Sequence, residues 1–185
     1  MRPVTIDKKK EWTAEDYLLL EEASTLNQII NGELVMSPSP SPLHQIISSN
    51  LNDLLKKEAK KLGGIVFYAP IDLYVNKHNV FQPDLIYISK EKKGIISKRG
   101  IEGVPDLVVE IISPSNSYVD RYEKKDAYKK FGVPEFWIVD PANETLEIYS
   151  GSQWEKPSLY LAASGKVKSV VLNELGFNLT DVFNP

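Results

Sequence analysis

Glu110 lies inside the run Leu107-Val108-Val109-Glu110-Ile111-Ile112, and no other feature of this 185-residue chain constrains its fold as strongly. So apolar a run reads as a strand buried on both faces. An ionised carboxylate there costs several kcal/mol, of that order, unless a cation or dense hydrogen bonding offsets it. A second carboxylate, Asp84, sits in a similar setting, Gln82-Pro83-Asp84-Leu85-Ile86-Tyr87-Ile88. Two resolutions are open. Glu110 can pair with a lysine or arginine in a structural bridge, or the two carboxylates and a lysine can form a divalent-metal site suited to phosphodiester chemistry.

Period-two alternation puts Asp106, Val108, Glu110 and Ile112 on one face of their strand and Asp84, Ile86 and Ile88 on one face of theirs. If the strands are neighbours, Asp84 and Glu110 meet. A helix from about Asp120 to Phe131 follows, with Asp120 and Glu123 at capping-box spacing and Gly132 closing it. Its apolar stripe, Ala127, Tyr128 and Phe131, extends back by steps of three and four to Lys124, so Lys124 points inward while Lys125, Lys129 and Lys130 face solvent. The oxygen donors for Mg²⁺, with Mn²⁺ as substitute, are then the Asp84 and Glu110 carboxylates and the Ile111 backbone carbonyl. Lys124 orients or deprotonates a water. The competing reading makes Lys124 a snorkelling side chain paired with Glu110. Glu33 is a further candidate carboxylate or an exposed strand residue; His44 is catalytic or a structural hydrogen-bonding group; Tyr128 restrains the lysine or packs in the core.

The rest of the chain reads as one mixed α/β domain, residues 13–185, behind an extension, residues 1–12. Thr13 caps a helix over Ala14 to Glu22. Asn31-Gly32 turns a hairpin between Gln28-Ile29-Ile30 and Glu33 to Met36. The prolines of Ser37 to Pro42 exclude helix, and a long amphipathic helix then runs from Leu43 to Leu62, ended by Gly63-Gly64. Strands are expected over Ile65 to Val75, Pro83 to Ser89, Pro105 to Ile112, Pro134 to Asp140, Thr145 to Tyr149, Trp154 to Leu161 and Lys168 to Leu172. This order gives a mixed sheet flanked by helices, with additional strands on the C-terminal side. No segment is long and apolar enough to span a bilayer, no secretory signal is visible, and cysteine is absent, so a cytoplasmic location is expected. The net charge of -3 disfavours a broad DNA-coating surface and restricts nucleic-acid contact to local patches. No phosphate-cradling glycine loop, Ser-His-Asp order or zinc-ligand cluster is present, and no organic cofactor is expected.

Several segments closely resemble the Uma-two family, within the PD-(D/E)XK, restriction-endonuclease-like superfamily. They are Gln82-Pro83-Asp84-Leu85, Pro105 through Ser115, Glu123-Lys124 with Tyr128, Gly132 through Pro141, Asn31-Gly32-Glu33-Leu34 and His44. The resemblance implies a core of helix, three strands, helix and strand, with Asp84 and Glu110 matching the motif acids. Ile112 stands where the superfamily pattern has lysine; Lys124 on the next helix matches the lysine of the closer family. It implies a Mg²⁺-dependent endonuclease that hydrolyses DNA through a metal-activated water, with a homodimer plausible by analogy. The alternative is a nuclease-fold module of weak or no activity that binds nucleic acid or protein.

Overall fold

A computed structural model describes residues 4–5, 10–20, 26–37, 39–113, 117–151 and 154–184. Its centre is a six-stranded sheet of β4 (Ile65–Tyr68), β7 (Leu85–Ile88), β8 (Leu107–Ile111), β9 (Glu135–Asp140), β10 (Thr145–Ser150) and β11 (Ser158–Tyr160), in the order β11-β10-β9-β8-β7-β4. Only the β8-β9 pair is parallel; the others are antiparallel. The parallel pair needs a crossover, and the helical segment between Val119 and Phe131 supplies it.

Alternation along the central strands divides the core as period two requires. Leu85, Tyr87, Leu107, Val109, Trp137 and Val139 face the long helix α2 (Pro42–Lys61) through its Ile47, Leu51 and Leu55. Ile86, Ile88, Val108, Ile112, Phe136 and Ile138 face the other way, onto Ala127 and Tyr128 of α3 (Lys125–Phe131) and onto a second sheet. That five-stranded sheet, β1-β3-β2-β6-β5, comprises β1 (Val4–Thr5), β2 (Leu26–Ile30), β3 (Glu33–Ser37), β5 (Leu73–Asn76) and β6 (Asn79–Phe81). Asn31 and Gly32, both at positive φ (50° and 79°), make the expected turn between β2 and β3.

Other boundaries differ from expectation. Ile65 to Val75 is two strands, β4 and β5, in different sheets, divided at the cis Ala69-Pro70 bond. The short strand β6 was not anticipated. Pro42 starts α2 at a position where its missing N–H costs nothing, with Ser41 as the cap. The first helix, α1 (Ala14–Tyr17), carries the Thr13–Asp16 capping box but gives way to turns by Leu18; residues 21–22 lie outside the described residues. At the C-terminal side, Trp154 to Leu161 contributes only β11. Lys168 to Leu172 is largely irregular, and a small sheet of β12 (Lys166–Lys168) and β13 (Gly176–Asn178) precedes α4 (Thr180–Phe183). The helix expected from Asp120 begins instead as a π-helix, Val119–Lys124, that runs into α3. Gly132 terminates α3 at φ 87°.

Candidate active site

Register brings the two carboxylates together. In the antiparallel β7-β8 pair Leu85 stands opposite Val109 and Ile86 opposite Val108, so one more step places Asp84, just before β7, opposite Glu110. The Ile111 N–H donates to Asp84 Oδ2 at 2.7 Å, fixing that side chain across the strand end. His44, on the first turns of α2, sets Nε2 3.3 Å from Asp84 Oδ1. Burial lowers the His44 pKa, but the Asp84 carboxylate, with help from the Ile111 backbone and Glu110, outweighs it and leaves the imidazole above its ordinary value.

Glu110 is 2% exposed and both its oxygens are engaged. Lys124 Nζ donates to Oε2 at 3.0 Å, and the Tyr128 hydroxyl donates to Oε1 at 2.6 Å. Tyr128 is itself locked between the rings of Phe81 and Phe136, so its hydroxyl is a fixed donor. Lys124 turns inward and Lys125 lies over the Tyr149 ring. Sequence reasoning missed one member of the cluster. Asp120, read there as a helix cap, is buried, and its Oδ1 lies 3.2 Å from Lys124 Nζ. The signal was available: one further step of four residues back along the Tyr128–Lys124 stripe reaches Asp120.

The cluster brings three carboxylates and two bases together, Glu110 and Asp120 on the Lys124 ammonium and Asp84 on His44. Burial pushes the Glu110 pKa up to about 8; Lys124 opposes the shift, and the negative charges of Asp120 and Asp84 add to it. Asp120 is raised too, by burial and by Asp84, against the pull of Lys124. Burial disfavours the charged form of Lys124, yet Glu110 and Asp120 overcome it and keep the ammonium protonated. All of these groups line an open cleft of about 940 Å³, together with His44 and the Ile111 backbone.

Glu33 is not among the cleft-lining residues and sits exposed beside the hairpin turn. Asp106 lies elsewhere as well, accepting from the Ser89 N–H at 2.7 Å and from Lys92 at 3.0 Å. Asp140 caps the turn after β9 through the Ala142 and Asn143 N–H groups and also binds Arg121.

The donor chemistry suits a hard divalent cation, which prefers oxygen ligands and, for Mg²⁺, needs only one or two carboxylates besides water and substrate phosphate. Asp84, Glu110 and the Ile111 carbonyl would hold it, and each carboxylate oxygen keeps a lone pair beyond its present partner. Among the described residues no group of three or more His, Asp or Glu side chains is gathered closely enough to hold a metal unaided.

Known proteins share this architecture. A family model described as Uma2, "Putative restriction endonuclease", matches residues 14–180. The "Uncharacterized protein sll1609" of Synechocystis sp. is 26% identical over 140 residues, 74% of this chain and 79% of its own. The crystal structure of a "putative nuclease belonging to DUF820" from Anabaena variabilis superposes with a TM-score of 0.77 at 21% identity, covering 92% of this chain and 97% of that one. At that identity the likeness establishes a common fold.

Proposed function

The chain belongs to the Uma2 family, and from that premise we propose that it is a Mg²⁺-dependent endonuclease that hydrolyses DNA phosphodiester bonds at the Asp84–Glu110–Lys124 cluster, with Mn²⁺ able to replace Mg²⁺. One observation carries the reading: strand register sets the Asp84 and Glu110 carboxylates opposite each other, and Glu110 and Asp120 hold the Lys124 ammonium beside them on the wall of an open cleft. Burial and mutual repulsion raise the pKa of both Glu110 and Asp120, a penalty on their charged forms that a further cation would relieve. A divalent ion bound there would polarise the phosphoryl group and lower the pKa of a water molecule.

The chain's own residues do the rest. Tyr128 and the Ile111 N–H hold Glu110 and Asp84 in fixed orientations, so no reorganisation is needed when substrate arrives. Lys124 remains protonated and therefore offsets charge on the phosphoryl oxygens instead of removing a proton. His44 braces the outer oxygen of Asp84 from the α2 side.

The test is incubation of purified protein with supercoiled, linear and single-stranded DNA, with EDTA, Mg²⁺ or Mn²⁺, beside Asp84→Ala. Cleavage that requires the ion and disappears in the variant is expected. Cleavage equal in both proteins, or no Mg²⁺ or Mn²⁺ binding by calorimetry, would sink the reading.

A further inference from the structure

We propose that the cleft takes a nucleic-acid strand with unpaired bases, one of which stacks on Tyr68; the inference rests on the nuclease reading above and names the substrate class of that same site. Charge argues first. Proteins that grip a duplex do so through its phosphates, with lysine and arginine displacing counterions. Among the described residues lining this cleft the sole lysine or arginine is Lys124, and it is held by Glu110 and Asp120. Asp84, Asp120 and Asp140 line the same space and outnumber Lys124 and His44, so its field does not attract a polyanion that offers phosphates alone. A strand must therefore be recognised by something other than its backbone.

The walls offer that alternative. Leu43, Tyr68, Ala69 and Pro70 form an apolar, partly aromatic side of the cleft, and Gln45 and Ser48 present amide and hydroxyl groups suited to base edges. Tyr68 ends the edge strand β4 next to the cis Ala69-Pro70 bond and remains 58% exposed, although the rings of Tyr128 and Phe136 in the core are fully buried. The Lys56 ammonium lies 4.9 Å from the Tyr68 ring centroid. An exposed ring with a cation over one face is a pairing suited to a single strand: the other face stacks a base and the cation meets the adjoining phosphate. Lys56 and Lys60, exposed one turn apart on α2, lead away from the cleft and supply the local positive track that the interior lacks. Stacked bases of a duplex present no free face to Tyr68, whereas a single strand, a gap or a melted junction does.

The experiment is fluorescence anisotropy in EDTA with a labelled single-stranded 20-mer and the matching duplex, run on the wild type, Tyr68→Leu and Tyr68→Trp, and followed by Mn²⁺-dependent cleavage of both substrates. The single strand is expected to bind more tightly than the duplex. Tyr68→Leu should weaken single-strand binding by at least about fivefold, as loss of one base–aromatic stack implies, and Tyr68→Trp should keep it. Thermal melts confirm that the variants fold; an exposed side chain at the cleft mouth should leave them unchanged. Tighter duplex binding, or a Tyr68→Leu affinity within twofold of the wild type, overturns the inference even if DNA is cut. Conversely, Tyr68-dependent strand binding without cleavage under Mg²⁺ or Mn²⁺ defeats the nuclease reading and leaves the stacking site standing.

Discussion

At Glu110 the physics of a structural bridge and of a catalytic acid predict opposite outcomes. Were Glu110 present only to neutralise Lys124, Glu110→Gln would strand a buried ammonium and destabilise by roughly 3 to 5 kcal/mol. In this site Asp120 remains 3.2 Å from the ammonium, so Lys124 keeps a partner when Glu110 loses its charge. At about pH 4.5, where carboxyl and amide are both uncharged, the variant should melt within about 1 kcal/mol of the wild type in EDTA, the size of one ordinary hydrogen bond, and at neutral pH it should lose cation-dependent cleavage. The pH profile fixes the sign. The folded pKa of Glu110 is raised from 4.5 to about 8, so its contribution to stability is complete below about pH 4.5 and is lost as pH rises through 8. Melts in EDTA should accordingly show the wild type falling behind Glu110→Gln across that window; a gap that closes or reverses with rising pH would contradict the assignment. The second residue-scale prediction separates the lysines. Lys124→Ala and Asp120→Asn should both depress cleavage, the first to background, the second because the ammonium loses one of two anchors. Lys125→Ala, which removes a side chain lying over Tyr149, should leave cleavage nearly intact. Equal losses in folded Lys124→Ala and Lys125→Ala would mean a general surface charge effect.

At the level of elements, the π-helix Val119–Lys124 is what turns two charged residues, Asp120 and Lys124, into the interior; insertions of this kind concentrate at functional sites. Arg121, between them, is its outer fastening: its guanidinium binds Asp140 at the end of β9, at 3.0 Å, and Glu147 on β10. Asp140 is held below its ordinary pKa. Burial works against that, but hydrogen bonds from Asn143 and Ala142 and the Arg121 contact prevail. A depressed carboxyl stabilises above its unfolded pKa, and that contribution is lost as pH falls through the folded value. Arg121→Met should thus lower the melting temperature at neutral pH and reduce cleavage through misplacement of Lys124, with its stability deficit shrinking as pH falls below the ordinary aspartate range and Asp140 takes up its proton. A deficit independent of pH would remove Asp140 from the account. The same element shows where sequence reasoning succeeded and where it stopped. The inward stripe through Tyr128 and Lys124 follows from helical periodicity and is legible in the chain. The π-turn depends on how the loop after β8 meets the sheet, and a capping-box pattern at Asp120 and Glu123 reads the same whether or not a cap forms. Ile65 to Val75 is interrupted at Ala69-Pro70, and the proline, which cannot donate to a ladder, is the sequence sign that the run serves two sheets. Alternation puts Asp84 and Glu110 each on one face of its strand, but that β7 and β8 are neighbours, in a register that sets the two opposite, depends on tertiary pairing that period alone does not specify.

Across the whole molecule, the helix that carries His44 depends on a C-terminal segment with little regular structure. Val167, Leu172, Phe177, Leu179 and Val182 complete the core on the α2 side of the sheet, and the Asn50 amide donates to the Val182 and Asn184 carbonyls at 3.1 and 2.8 Å. Glu135 ties this segment to the sheet. It is wholly buried at the start of β9, where one oxygen accepts from Trp137 Nε1 at 2.6 Å and Ser169 Oγ at 2.8 Å, and the other from the Val170 and Val171 N–H groups at 2.5 and 3.3 Å. A buried carboxylate satisfied by four donors works in the opposite way from Glu110: its charge is compensated in place and leaves nothing for a ligand to add. Glu135→Ala removes all four acceptor contacts at once, and each buried donor left without a partner costs about 1 to 3 kcal/mol. The expected loss is about 3 kcal/mol or more, which for a chain of this size lowers the melting temperature by roughly 6 to 12 °C. Because the released segment also supports α2, amide exchange should rise in α2 as well as after residue 166, while β7 and β8 stay protected. A melting temperature within about 2 °C of the wild type, or exchange confined to the C-terminal segment, would show that the fold holds α2 and His44 in place without this clamp.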